Sequence, residues 1–414
     1  MPERQRNLSS VLAPPYRVRR RRNRQLLPER LAMVSKSRQA SLFDSASAGM
    51  VADAFDAARL TQARLRRGMS KQELADKLGV SPAAIGYYEA GINAPRPDHL
   101  GQLANILGYP VEFFAAGRPH ARLDASMAHF RSLRSTRVGQ RAKAIALVEQ
   151  LWELTYALEL RVELPFADVP MMAARSAGGS VEPEEAASEL RKRWNIPRGP
   201  FRHLVRTMEL HGIVVSLFSF AGDDVARVDA FSTSKLPRPL VVLAPDRAND
   251  IYRHRFTAAH ELGHLVLHRD VAPGDLEQER EADRFAAEVL TPASEIEREL
   301  SPRLRIPSLE ESGRMWGVSV DCLIRRSREL GMVSEVSARR AYQRLQQLRG
   351  AGLLNPEPIS RFPGEVPTLL KSAYELAEQH GLTIKQLARD LAWPVSQVRE
   401  LLGEASIRPV LRLV

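Results

Sequence analysis

The sequence predicts a multidomain, mainly α chain. It reads as an all-α helix-turn-helix domain near the front, an α+β domain with a small sheet in the middle, and a helical region behind it. Three observations predict this. A length of 414 residues exceeds one ordinary hydrophobic core. Two short amphipathic helices joined by a glycine turn lie between residues 70 and 91. Short apolar runs between residues 212 and 243 lead into a long helical pattern, the order of a small sheet followed by helices.

Residues 1–50 hold ten Arg and one Lys against Glu3, Glu29 and Asp44, an excess of eight within a net charge of +11. The remaining chain therefore carries only about three, so the charge marks a basic tail and is weak support for nucleic-acid binding by the body of the protein. Residues 1–50 read as a disordered tail, or as an upstream extension to a true start at Met33 or Met50. In residues 51–118, Ser70 precedes a helical pattern and Glu73 follows three residues later, the signature of a capping box. Gly79 makes the turn, Ser81-Pro82 opens the second helix and Gly91 ends it. Leu74, Ala75, Leu78, Val80 and Ile85 form the expected core.

Residues 119–165 read as a helical linker, with apolar residues at three- and four-residue steps from Ala142 to Leu160. In residues 166–300 a helix from Pro183 to Trp194 is followed by expected strands at 212–220, 228–232 and 240–243. Residues 301–350 form a helical extension. In residues 351–414, Leu387-Ala388 and Val398 repeat the spacing of Leu74-Ala75 and Ile85, with Ala392 for the turn glycine. That weak repeat reads as a helical interaction module ahead of a second DNA reader. No run of eighteen apolar residues and no signal segment are seen, and Cys322 is the lone cysteine. These features point to a cytoplasmic chain without membrane contact.

The chemistry concentrates in His260-Glu261-x-x-His264. On a helix the two imidazoles lie one turn apart on one face and can reach one metal ion, while Glu261 can take a proton from a water on that metal. A catalytic zinc (Zn2+) needs a third protein ligand. Downstream, Ala282, Phe285, Ala286, Val289 and Leu290 recur at helical spacing, and Glu281 falls one turn before Phe285 on the buried face. Glu281 is the expected third ligand, with Glu277, Asp283 and His268 as lesser candidates. Glu279 and Glu288 read as solvated, and Asp283 can also serve by bonding the free nitrogen of a ligand histidine. His254, Arg255 and Tyr252 are nearby candidates for an oxyanion donor.

These stretches, Arg255 to His268 and Glu281-Ala-Asp-Arg-Phe-Ala-Ala-Glu-Val-Leu-Thr-Pro292, resemble the ImmA/IrrE family of bacterial metallopeptidases. The resemblance implies a zincin-like peptidase domain with His260, His264 and Glu281 as zinc ligands and Glu261 as the catalytic carboxylate. Asp283 stands where the family usually has asparagine. It further implies a protein substrate, a partner repressor whose cleavage releases genes from repression.

Residues 60–114 resemble the phage-repressor (XRE) class, through Leu74-Ala75, Gly79-Val80-Ser81, Ile85, Glu89 and Gly91. By that resemblance Pro82, Ala83, Ala84, Gly86 and Tyr87, flanked by Ser81, face the bases of double-stranded DNA, with Lys71 and Gln72 at the start of the preceding helix. These side chains are small and apolar, so bidentate base contacts are not expected. Repressor-like domains often act as dimers, which makes a homodimer the expected assembly. The sequence leaves two rival readings open: a DNA-binding regulator whose zincin fold senses a metal or signal without cutting, and a protease whose helix-turn-helix only docks proteins.

Overall fold

The protein is described here by a computed structural model that covers residues 48–123, 129–130, 138–218, 230–244, 250–269, 271 and 275–404. Residues 1–47 of the basic tail and the expected strand residues 219–220 and 228–229 lie outside the described residues; residues 48–50, expected as disordered tail, are helical, with Ala48 buried. The first helices are α1 (Ala57–Arg66), α2 (Lys71–Leu78), α3 (Pro82–Glu89) and α4 (Pro97–Leu107). Their ends are set by local chemistry. Ser70 Oγ accepts from Glu73 N at 3.1 Å while Ser70 N donates to Glu73 Oε2 at 2.7 Å, so the capping box is closed in both directions. Gly79 turns the chain at φ +72°, a left-handed conformation that costs a glycine little. Leu60, Leu74, Ile85, Leu100 and Leu103 then close a small core.

Helix α5 (Val138–Glu159) falls in the segment expected as a linker, and it is buried on almost every side. Its polar residues are matched from both flanks. Glu153 accepts from the buried Arg59 of α1 at 2.5 Å, and Gln62 donates to the same carboxylate at 3.0 Å. Gln150 donates to Tyr109 Oη at 2.8 Å and accepts from Gln397 at 2.9 Å. A helix seated this way is a packing axis, because each buried polar group needs a partner that a mobile spacer would not supply.

Helices α6 (Pro183–Arg193) and α7 (Leu204–Leu210) lead into three strands of a four-stranded sheet whose first strand precedes α5 in the chain. Its strands are β1 (His129–Phe130), β2 (Val214–Leu217), β3 (Ala230–Thr233) and β4 (Leu240–Leu243), in the order β1-β3-β4-β2. Strands β2 and β4 run parallel; β3 is antiparallel to β4 and to β1. Side chains alternate between two separate cores. Val214, Phe231, Leu240 and Val242 join the core of the helix-turn-helix unit, α5 and the C-terminal helices. Val215, Ala230, Val241 and Leu243 join the core built around the later helices.

Those helices are α8 (Ile251–Leu267), α9 (Leu276–Leu290), α10 (Ala293–Ile296), α11 (Ile306–Trp316), α12 (Val320–Glu329) and α13 (Glu335–Gly350). The chain ends in α14 (Leu369–Gln379), α15 (Ile384–Leu391) and α16 (Val395–Leu401). The last two repeat the front motif in geometry: Thr383 and Gln386 form a capping box, and Ala392 takes the left-handed turn at φ +51°. Yet α16 directs Gln397, Val398 and Leu401 into the core. No helix among the described residues is long and apolar enough to cross a membrane.

Candidate metal centre

Helix α8 begins at Asp250, whose carboxylate accepts from Tyr252 N at 3.1 Å and Arg253 N at 3.2 Å. It packs against α9 at unusually close range where Gly263 faces Phe285 and Ala282. A Cβ at Gly263 would lie 3.1 Å from Phe285 Cδ1 and 3.3 Å from Ala282 Cα, so glycine permits the approach. That approach carries the acidic first turns of α9 over the histidines of α8.

His260 and His264 are each 1 % exposed, and their Nε2 atoms lie 3.1 Å apart. Glu279 faces them both: Oε2 is 3.4 Å from His260 Nε2 and Oε1 is 3.5 Å from His264 Nε2. These separations are long for hydrogen bonds. Two donors at zinc-ligand distances around a tetrahedral ion sit about 3.4 Å apart, a spacing that the nearer Glu279 oxygen approaches at each ring. Their donor atoms all lie within 4.8 Å of one another. Burial pushes the Glu279 carboxyl up, but the two facing imidazoles outweigh this and hold it at about 2.

The structure does not bring Glu281, expected as the third ligand, to the imidazole pair; the facing carboxylate is Glu279, read from sequence as solvated. Residues two apart on a helix diverge by about 200°, so only one of the two can face α8 at this point. Glu281 turns instead to His268, whose Nε2 donates to its Oε2 at 2.9 Å, and to Ser176, which donates through both N and Oγ. Burial raises the Glu281 carboxyl, and donation from Ser176 and His268 more than offsets that, leaving it below the usual range.

One assignment of protons is consistent with these contacts. With His268 Nε2–H committed to Glu281, its Nδ1 is an acceptor and receives His264 Nδ1–H at 3.0 Å. His260 Nδ1–H donates to Asp283 Oδ1 at 2.8 Å. Both rings turn their Nε2 atoms toward the Glu279 carboxylate. Two imidazoles and a carboxylate pointed at one spot make a candidate cation site. Burial lowers the pKa of His268, which keeps this linking ring neutral.

Glu261 is fully buried, and Ser232 Oγ on β3 donates to its Oε2 at 2.6 Å. Sequence reasoning missed both Ser232 and the relay role of His268; His268 carried a signal in its spacing of four from His264, whereas Ser232 carried none. Among the other candidates, Glu277 is exposed at the start of α9. Glu288 is buried and ion-paired with Arg326, against the expectation of a solvated face. Arg255 is bound to buried Glu365 and to the Phe201 and Gly317 carbonyls, and His254 Nε2 bonds Glu365 O at 3.0 Å. Both anchor the front of α8, and Tyr252 is half-buried there.

On the helix-turn-helix, Ser81, Pro82, Ala83 and Tyr87 are exposed on α3, while Ala84 and Gly86 are half-buried. Lys71 Nζ lies 3.4 Å from Glu89 Oε2, and Gln72 donates to Asp76 at 2.7 Å. The face offers a flat, weakly polar surface.

Residues 60–114 match the helix-turn-helix family, and residues 208–328 match the IrrE N-terminal-like peptidase domain. Over 66 residues the chain is 39% identical to an SPbeta prophage-derived uncharacterized HTH-type transcriptional regulator of Bacillus subtilis (strain 168), covering 16% of this chain and 60% of that protein. The chain thus spans about three fifths of the length of the curated relative it matches. It joins a regulator-type helix-turn-helix to an IrrE-like peptidase domain.

Proposed function

We propose that the chain is a transcriptional regulator in which sequence-specific binding of double-stranded DNA is combined with zinc-dependent endopeptidase activity on a repressor-type protein. The observation that carries the peptidase reading is the convergence of His260, His264 and Glu279, whose ligand atoms all lie within 4.8 Å of one another. Zinc held there would acidify a bound water and polarise a peptide carbonyl. The chain's own groups divide the remaining work. Glu261, held by Ser232, takes the proton of the attacking water and returns it to the leaving amine. Asp283 and the Glu281–His268 pair fix the ligand rings, and Gly263 fixes the distance between the two helices. The closed core around α8 excludes bulk water from the buried side.

The test is metal content of the purified full chain, followed by digestion of reduced, carboxymethylated casein as an unstructured probe. About one zinc per chain is expected, retained in Glu261→Gln and lost in His264→Ala, with cleavage absent from both variants. Zinc without cleavage by the unmodified chain favours the sensor reading, and no zinc after reconstitution rejects the centre. For DNA, the slope of log Kd against log salt separates a phosphate-contacting module from a docking one. The engagement of Lys71 with Glu89 supports that docking alternative.

A further inference from the structure

A cleft of about 1470 Å³ lies away from the metal centre and shares none of its residues. Its walls come from the end of α1, the strand β2, the start of α14 and the α15–α16 pair. Arg66, Arg67, Lys371, Lys385 and Arg399 line it, against Glu400 and Glu404. The cationic surplus is sharpest at the mouth of α1. Arg66 is 12% exposed, lies over the Phe218 ring at 4.6 Å, and meets Glu400 at 3.2 Å. Its Nε is buried without a hydrogen-bond partner among the described residues.

Arg67 donates to the carbonyls of Leu107 at 2.5 Å and Gly108 at 3.4 Å, and no carboxylate among the described residues is ion-paired with it. Lys143 stands beside both arginines, its Cδ 3.7 Å from where a Cβ on Gly68 would sit. Burial, and then the Arg66 charge, lower its pKa. Arg66 thus meets Glu400 directly and Lys143 feels its charge; Glu400 is 49% exposed and can be displaced at little cost. The Arg66 guanidinium can match the paired oxygens of a phosphate, with Arg67 adding its charge beside it.

We propose that this cleft binds a small phosphorylated molecule, with Arg66 and Arg67 holding its phosphate oxygens in place of the Glu400 carboxylate. The site is independent of both the metal centre and the DNA face. Since its walls join α1 of the helix-turn-helix unit to the C-terminal helices, an occupant bridges two elements otherwise joined here by the Arg66–Glu400 pair.

The experiment is calorimetric titration of the full chain with pyrophosphate, repeated on Arg66→Gln and Glu400→Gln, each checked for folding by thermal melting. Saturable one-to-one binding is expected, weakened at least about tenfold in Arg66→Gln. Glu400→Gln should bind severalfold more tightly, because the competing carboxylate is gone; damage to the fold would not produce such a gain. Absence of binding in both the unmodified chain and Glu400→Gln overturns the proposal. So does equal affinity in Arg66→Gln, or displacement of pyrophosphate by a short DNA duplex, which would reassign the cleft to nucleic acid.

Discussion

Replacing Glu279 by Gln and, in a second protein, Glu281 by Gln asks which carboxylate holds the ion. Zinc ligands at about 2.0–2.2 Å from a tetrahedral centre stand about 3.3–3.5 Å apart. Glu279 comes near this, with Oε2 3.4 Å from His260 Nε2 and Oε1 3.5 Å from His264 Nε2, whereas Glu281 is spent 2.9 Å from His268. Glu279→Gln removes the charged donor and should raise the zinc Kd by more than about 100-fold, or roughly 2.7 kcal/mol. Glu281→Gln only loosens the ring orientation of His268 and His264, an outer-partner effect of about 10–100-fold. Competition against a chromophoric chelator at fixed pH gives both constants. Unchanged affinity in Glu279→Gln, or a larger loss in Glu281→Gln, would refute the geometric assignment.

Three further outcomes follow from the same structure. Ser232→Ala frees the Glu261 carboxylate without touching a donor atom, so zinc stoichiometry should hold while casein hydrolysis drops by about tenfold; loss of zinc would contradict the division of roles. Burial raises Glu209 to about 7, against hydrogen bonds from Leu369 and Thr368, so its contribution is greatest below about pH 4.5 and is lost as pH rises through 7. Burial lowers His254 to about 4, giving stability above about pH 6.5 that is lost as pH falls through 4. The two slopes oppose one another between those limits, so Glu209→Gln should unmask an acid-side decline of roughly 3 kcal/mol in urea melts across pH; a profile unchanged by the substitution counts against it. Finally, Arg59→Met strands the buried Glu153 charge and should cost about 3–5 kcal/mol, most of it restored by adding Glu153→Leu; additive losses in the pair would show the contact is weak.

The front motif was readable because every signal in it is local: Ser70, Glu73, Gly79 and Ser81 each act within four residues of themselves. The same holds for His260 and His264, one turn apart on a single helix. The third donor could not be read that way. Glu277, Glu279 and Glu281 share one acidic helix start, and which of them faces α8 depends on the phase of α9, set by the Gly263–Phe285 contact. Long-range pairs were invisible for a related reason. Arg255 and Glu365, or Arg59 and Glu153, are matched only once two distant elements pack. Residues 119–165 showed their helical period in sequence, but nothing there revealed that both flanks would be covered.

The four-residue strands behave as a party wall. Val214, Phe231, Leu240 and Val242 look into one room, and Val215, Ala230, Val241 and Leu243 into the other. A fragment cut at residues 166–350 would keep the catalytic room and tear the lining off its neighbour, leaving a flat apolar surface open to any second copy. Such a fragment is expected to aggregate on size exclusion where the full chain does not. The helix-turn-helix unit and the IrrE-like domain therefore share one sheet, and each covers an apolar face that the other would leave exposed.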